Sequence, residues 1–167
     1  MRRVLLVFLV GTVAACAPTM MQVAVAPADV EAATAMLAPG TGTLKGSALM
    51  RQRGGGVVTC AGNDVFLIPA TTSVTGDLRR IFGGDKGYVP RGGDAVIGGG
   101  KLVVAPKPNR QGVCNAQGFF TFTNVRAGQW YVMTTITWTV GDEYQGGTIL
   151  GTAEVTEGKE TEIVLTQ

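Results

Sequence analysis

The stretch that decides the fold is CNAQGFFTFTNVRAGQWYVMTTITWTV, which runs from Cys114 to Val140. Asn115 and Gly118 frame a turn, because Asn hydrogen-bonds its own backbone and Gly adopts backbone angles that other residues avoid. Apolar residues then alternate with polar ones, which is typical of half-buried strands. In the second half the apolar side chains of one parity are Trp130, Val132, Ile136, Trp138 and Val140. With a chain reversal at residues 126–128, the pattern predicts a hairpin at the centre of a β-sandwich core.

The same stretch contains the spacing Asn-x-x-Gly-x-Phe-x-Phe-x-x-Val-x-x-Gly-x-aromatic, which begins at Asn115. This pattern resembles the carboxypeptidase regulatory-like (transthyretin-like) β-sandwich domain. Asn115 stands where an Asp is common, and Arg126 stands where a Pro often precedes the small-Gly turn, but both residues keep the turn chemistry. Residues 44–46 and 65–69 resemble other strands of that domain. The likeness therefore extends from Thr43 to the C-terminus.

The resemblance implies a transthyretin/prealbumin-like Greek-key β-sandwich. It also implies an accessory role without catalysis, since such domains are usually non-catalytic, although a fold alone does not establish a function. Further alternating segments recur at the intervals that a sandwich requires, and with the central stretch they give about seven strands. These segments are residues 44–50, 57–61, 64–69, 149–155 and 163–165.

A short helix is predicted over residues 27–40, upstream of the strands. Pro27 suits a first helical turn, acidic residues follow it, and Pro39-Gly40 would end the helix. We expect this helix to dock on the sandwich, and a partner-binding helix is the alternative. The expected domain is all-β and covers residues 41–167.

The N-terminus has the pattern of a bacterial lipoprotein signal. A basic pair, Arg2 and Arg3, precedes an apolar run over residues 4–13. That run is too short to span a bilayer, which takes about 20 residues. Val13-Ala14-Ala15-Cys16 resembles a lipobox, in which the chain is cut before the Cys and the new terminus is acylated. The alternatives are an ordinary signal peptide with a chance Cys and a short buried helix.

The lipobox reading predicts a signal peptide over residues 1–15 and a lipidated tether over residues 16–26. Cys16 would carry the lipid, and the membrane would be a partner through this anchor. Ala17 follows the Cys, which resembles signals sorted to the outer membrane. We therefore expect a lipid-anchored protein of the bacterial outer membrane that faces the periplasm.

Processing would leave 167 − 15 = 152 residues, enough for one domain with a core. Removal of two arginines would leave 14 − 2 = 12 basic residues against 12 acidic ones. A neutral chain lacks the basic footprint that nucleic-acid binding requires. Cys60 and Cys114 would remain, an even count in an oxidising compartment, and this favours a disulfide over two free thiols. Two cysteines without any His cannot build a metal site, and no cofactor is predicted.

Residues 71–112 do not show the strand pattern and read as a Gly-rich insertion. A connection of this length is either functional or disordered. Its candidate partner-binding residues are Arg79, Arg80, Tyr88 and Arg91. We expect one helical turn over residues 76–82 and a possible strand over 101–105, but almost no contribution to the core from residues 83–100. If the insertion does not bind, the outer strand face with Tyr131 and Met133 is the alternative surface.

Catalytic patterns are sparse in this sequence. The chain has no His, so no Ser-His or Cys-His nucleophile can be built. Asp142 and Glu143 are adjacent in a predicted turn, and the other loop carboxylates (Asp77, Asp85 and Asp94) are scattered. A carboxylate pair could serve a glycosidase, but exposed loop acids are more often solvated surface. Trp130 and Trp138 fall on the inward parity, which favours the core over a sugar-stacking platform.

These observations predict a lipid-anchored, non-catalytic interaction module of the bacterial envelope. Its unknown partner would be an envelope protein or a glycan. The alternatives are an assembly lipoprotein of a secretion or surface machine and, in another class, a carboxylate-based envelope hydrolase.

Overall fold

The computed structural model describes residues 26–91 and 105–167. Two helices and nine strands lie within these residues. They are α1 (Pro27–Leu37), β1 (Gly42–Arg51), β2 (Val57–Thr59), β3 (Asp64–Pro69), α2 (Thr72–Phe82), β4 (Gly87–Pro90), β5 (Arg110–Val113), β6 (Phe119–Val125), β7 (Gly128–Val140), β8 (Glu143–Val155) and β9 (Glu160–Leu165).

The strands form two sheets. In the four-stranded sheet, β1 pairs antiparallel with β2 and β6 and parallel with β9. The five-stranded sheet has the order β4-β8-β7-β3-β5, and all its neighbours are antiparallel. The predicted β-sandwich class is confirmed. The expected number of about seven strands is too low, because β4 and β5 lie in the segment that was read as an insertion.

The turn at the start of the central stretch forms as expected. The Asn115 side-chain oxygen accepts hydrogen bonds from the backbone N–H groups of Gln117 at 3.0 Å and Phe119 at 2.9 Å. Gly118 has a φ of +83°, and a Cβ there would lie 2.5 Å from the Thr59 Cβ. Only glycine combines this left-handed backbone with such a close approach.

The predicted hairpin between the two strands of that stretch is wrong. β6 pairs with β1 in one sheet, whereas β7 pairs with β3 and β8 in the other. The short connection between them therefore crosses from sheet to sheet. Alternating apolar residues define the buried face of a strand, but they do not define its neighbour. Phe120 and Trp130 thus enter one core from opposite sheets.

The core between the sheets is made of inward-facing side chains from both. Trp130 is fully buried, and its indole N–H donates to the Arg126 carbonyl oxygen at 3.0 Å. The other large buried members include Leu44, Met50, Val65, Leu67, Phe120, Phe122, Val132, Ile136 and Ile149.

A second apolar layer covers the outer face of the five-stranded sheet. α2 packs its buried face, which consists of Val74, Leu78, Ile81 and Phe82, against Ile68, Tyr131, Met133 and Leu150. The prediction of an exposed outer face with Tyr131 and Met133 is therefore wrong. The expectation of a single turn over 76–82 is also too short, although the apolar spacing of α2 is helical.

β4 corrects the prediction for residues 83–100. Residues 87–90 pair with β8 along the sheet edge, Val89 is buried, and Tyr88 packs against the core. Replacing residues 83–100 would remove an edge strand, so we expect it to lower the melting temperature, in contrast to the sequence-based expectation. The candidate strand over 101–105 lies almost wholly outside the described residues.

The disulfide between Cys60 and Cys114 is confirmed, with a Cα–Cα distance of 5.7 Å. It joins the segment after β2 to the segment after β5. The predicted N-terminal helix is present as α1, which ends at Leu37 rather than at residue 40 and buries Ala33. The signal peptide, the lipidation at Cys16 and most of the tether lie outside the described residues. No helix in the described part of the chain combines the length and apolar character needed to cross a membrane.

Candidate ligand-binding cleft

A cleft of about 500 Å³ opens at one end of the sandwich. The β7–β8 hairpin creates it, because residues 137–140 of β7 pair with residues 143–146 of β8 beyond the points at which β3 and β4 end their pairing. The end of β1, the end of β4 and the C-terminal residue complete its walls. The lining residues are Arg51, Arg53, Tyr88, Pro90, Arg91, Trp138, Tyr144, Gln145, Gly146 and Gln167.

Three aromatic side chains line this cleft. Trp138 is half-buried against the core, and its indole N–H donates to the Gln145 side-chain oxygen at 3.2 Å. Tyr144 is 62% exposed. The hydroxyl of Tyr88 donates to the Gly146 carbonyl oxygen at 2.8 Å, and burial raises the pKa of Tyr88 above its usual value. Tyr88 therefore stays a neutral donor that fixes one wall.

Three arginines enter the cleft from separate elements. Arg51 ends β1, Arg53 lies in the following turn, and Arg91 follows β4. The Arg91 guanidinium carbon lies 5.0 Å from the centroid of the Tyr144 ring, within the range of a cation–π contact. No Asp or Glu of the described residues lines the cleft. The side chains that line it are therefore either cationic or neutral.

Two amides add hydrogen-bonding groups that carry no charge. Gln167 uses its side-chain N–H to donate to the Arg51 carbonyl oxygen at 2.7 Å, which fixes the C-terminus against β1. Gln145 faces Trp138 across the β7–β8 pair. The cleft therefore combines ring faces with donors and acceptors, as small-molecule sites commonly do.

The structure divides the four predicted binding residues. Tyr88 and Arg91 lie together in the cleft. Arg79 and Arg80 lie on α2, where Arg79 forms a bidentate pair with Asp85 at 2.7 and 2.8 Å, and Arg80 pairs with Asp77 at 2.5 Å. The sequence grouped all four because it treated residues 71–112 as one loop.

Sequence reasoning missed most of the cleft. Trp138 was assigned to the core by strand parity, which holds for Trp130 but only in part for Trp138. Parity gives the face of a strand and says nothing about where the opposite sheet ends. The sequence signal that could have indicated the cleft is the pair Tyr144-Gln145, which lies across the predicted turn from Trp138.

Comparisons with known proteins bear on the fold. No family model matches the chain, and no curated protein matches it. Among solved structures, the crystal structure of a candidate carbohydrate-binding protein from Pseudomonas aeruginosa matches with a TM-score of 0.67 and 19% sequence identity. The match covers 87% of this chain and 100% of that chain. The two proteins share a fold. At this identity the likeness extends no further than the fold.

The acidic side chains of the described residues lie outside the cleft. Asp85 accepts hydrogen bonds from Arg79 and from the Tyr131 hydroxyl, at 2.6 Å for the latter. These contacts lower the pKa of Asp85 to about 2. The Asp85 carboxylate therefore connects Arg79 of α2 to Tyr131 of β7, and this structural role explains its shifted pKa. Within residues 26–91 and 105–167, no cluster of three His, Cys, Asp or Glu side chains could hold a metal ion.

Proposed function

We propose that the protein is a lipid-anchored, non-catalytic glycan-binding module of the bacterial envelope, built on a carboxypeptidase regulatory-like (transthyretin-like) β-sandwich. The cleft is the observation that carries this proposal. Sugar rings present apolar C–H faces and a rim of hydroxyl groups. Aromatic rings suit the faces, and amide and guanidinium groups suit the hydroxyls. Trp138, Tyr144 and Gln145 supply both kinds of contact in one place.

The fold neighbour supports the same proposal. It is described as a candidate carbohydrate-binding protein, and its whole chain is covered by the match. The turn formed by Asn115 and Gly118 supports the domain assignment, because it builds the pattern on which the resemblance rests.

The point at which the N-terminal segment meets the sandwich is consistent with a lipid-anchored binding protein. The Ala26 N–H lies 3.4 Å from the Ser73 hydroxyl oxygen, close to the end of β3 that pairs with Trp130. The cleft lies at the other end of β7, about 27 Å away for eight residues of strand from Trp130 to Trp138. A tether over residues 16–26 could extend about 36 Å. Lipid on Cys16 would thus attach the sandwich at the end opposite the cleft and leave the cleft open to a ligand.

A glycan array followed by calorimetry tests the proposal on the processed, detergent-solubilised protein. We expect binding to one or more oligosaccharides, weakened about tenfold by Trp138→Ala or Tyr144→Ala through loss of a stacking ring. Phe119→Ala is the matched control, because Phe119 is an aromatic residue on β6 that is 52% exposed and does not line the cleft. Absence of any glycan binding, or equal affinity in all variants, would contradict the proposal.

A further inference from the structure

We propose that the saccharide bound in the cleft carries an oxyanion, a carboxylate or a phosphate group, and that Arg51, Arg53 and Arg91 bind it. This inference rests on the proposed glycan-binding function and specifies its ligand class. It is based on the three arginines that line the cleft and on the absence, among the described residues, of hydrogen-bond or ion-pair partners for their guanidinium groups.

The arginines of the described residues divide into two groups. Those outside the cleft each use the guanidinium group in a hydrogen bond: Arg79 and Arg80 with carboxylates, and Arg110 and Arg126 with backbone carbonyl oxygens. In the described part of the chain, no hydrogen bond or ion pair joins the guanidinium group of an arginine in the cleft to another residue. The unused donors are therefore concentrated at one site.

The convergence of these three charges has a physical consequence. Like charges repel, and none of the described side chains that line the cleft is acidic. An anionic ligand relieves that repulsion, whereas a neutral one leaves it in place. Each guanidinium also presents a planar fork of N–H donors that matches the two oxygens of a carboxylate or phosphate.

The aromatic wall explains why the anion would belong to a sugar. The Arg91 guanidinium is held over the Tyr144 ring, with 5.0 Å between its carbon and the centroid. The half-buried Trp138 lines the same cleft. A ligand that reaches the arginines therefore also reaches ring faces and amide groups, which an inorganic anion would leave unused.

Calorimetry with matched ligands tests this inference on the processed, detergent-solubilised protein. The probes are trigalacturonate, its methyl ester, glucose 6-phosphate and inorganic phosphate, each at low and high salt. We expect an acidic saccharide to bind at least about tenfold more tightly than the neutral ester. Its affinity should fall as salt rises, because exposed charges are screened.

Charge-neutralising variants locate the site. Arg51→Gln, Arg53→Gln and Arg91→Gln should each weaken binding of the acidic saccharide about tenfold, and should weaken binding of the neutral ester much less, because only the acid loses a charge-assisted contact. Arg80→Gln makes the same change on α2, outside the cleft, and should have no effect. Melting temperatures equal to the wild type show that each variant is folded.

The outcomes separate the inference from the proposed function. If only the uronate binds tightly, the ligand carries a carboxylate, and if only the sugar phosphate binds tightly, it carries a phosphate. If both bind tightly, the site accepts either oxyanion. Equal affinities for acid and ester would overturn the inference while glycan binding stands. Inorganic phosphate binding as tightly as the acidic saccharides would overturn it by showing a plain anion site. If no saccharide bound at all, the proposed function would fail as well.

Discussion

Removal of the disulfide is the perturbation whose magnitude follows most directly from the structure. Cys60 and Cys114 close a loop with a sequence separation of 54 residues. In the chain-entropy description, a cross-link over such a loop destabilises the unfolded state by about 4 kcal/mol. For a domain of this size, 1 kcal/mol corresponds to about 2–4 °C in melting temperature. The double variant Cys60→Ala/Cys114→Ala should therefore melt about 8–16 °C below the wild type.

Thermal unfolding followed by circular dichroism measures this difference. Both cysteines are buried, so Ala avoids the unpaired hydroxyl that Ser would place in the core. A reductant should lower the wild-type melting temperature towards that of the variant and leave the variant unchanged, which provides the internal control. A decrease below about 3 °C, or equal effects of reductant on both proteins, would refute the reasoning.

Three further perturbations have defined outcomes. The guanidinium and the phenol that hydrogen-bond to Asp85 lower the pKa of its carboxyl to about 2. The ionised carboxyl therefore stabilises the folded protein above about pH 4, and this stabilisation is lost as the pH falls towards 2. Asp85→Asn should therefore reduce the fall in melting temperature over that window, and Asp142→Asn, in an exposed turn, should not. Gly146→Ala should destabilise the fold strongly, because its φ is +98° and the new Cβ would lie 2.1 Å from a carbonyl oxygen of β7. Gly141→Ala is the control: its φ is +58° and the space around it is open, so the free energy of unfolding in urea should fall by only about 1–2 kcal/mol. Cys16→Ser should leave the protein unprocessed or released from the membrane fraction, and normal retention with normal mass would exclude lipidation at that residue.

Local chemistry made parts of the fold predictable from sequence. The turn that begins at Asn115 depends on contacts within four residues, so the sequence contains all the information that it needs. The burial of Trp130 follows from strand parity. The disulfide was predicted from an even cysteine count and from the expectation of an oxidising compartment.

Strand neighbours were not predictable in this way. β6 and β7 carry the alternation expected of a hairpin, yet they pair in different sheets. Turn chemistry at Ala127 and Gly128 is compatible with both arrangements. The length of α2 was underestimated for another reason. Gly76 lies inside the helix, and the apolar residues of α2 cover a sheet face that the sequence alone does not reveal.

The cleft depends on contacts that are distant along the chain. Arg51 and Gln167 are 116 residues apart and meet through a single hydrogen bond. Trp138 belongs to the cleft only because β7 continues past the strands that flank it. The sequence shows each side chain but not the point at which each strand ends relative to its neighbours.

The two tryptophans allow the most direct measurement of the central claim, that a saccharide binds in the cleft. The chain contains only two, so its ¹⁵N-labelled form gives two indole N–H signals. Trp138 donates to Gln145 in the cleft, whereas Trp130 is buried and donates to Arg126 at the opposite end of β7. Titration with trigalacturonate should shift the Trp138 signal saturably and leave the Trp130 signal in place. Saturable binding that moves only the Trp130 signal, or neither signal, would contradict the account.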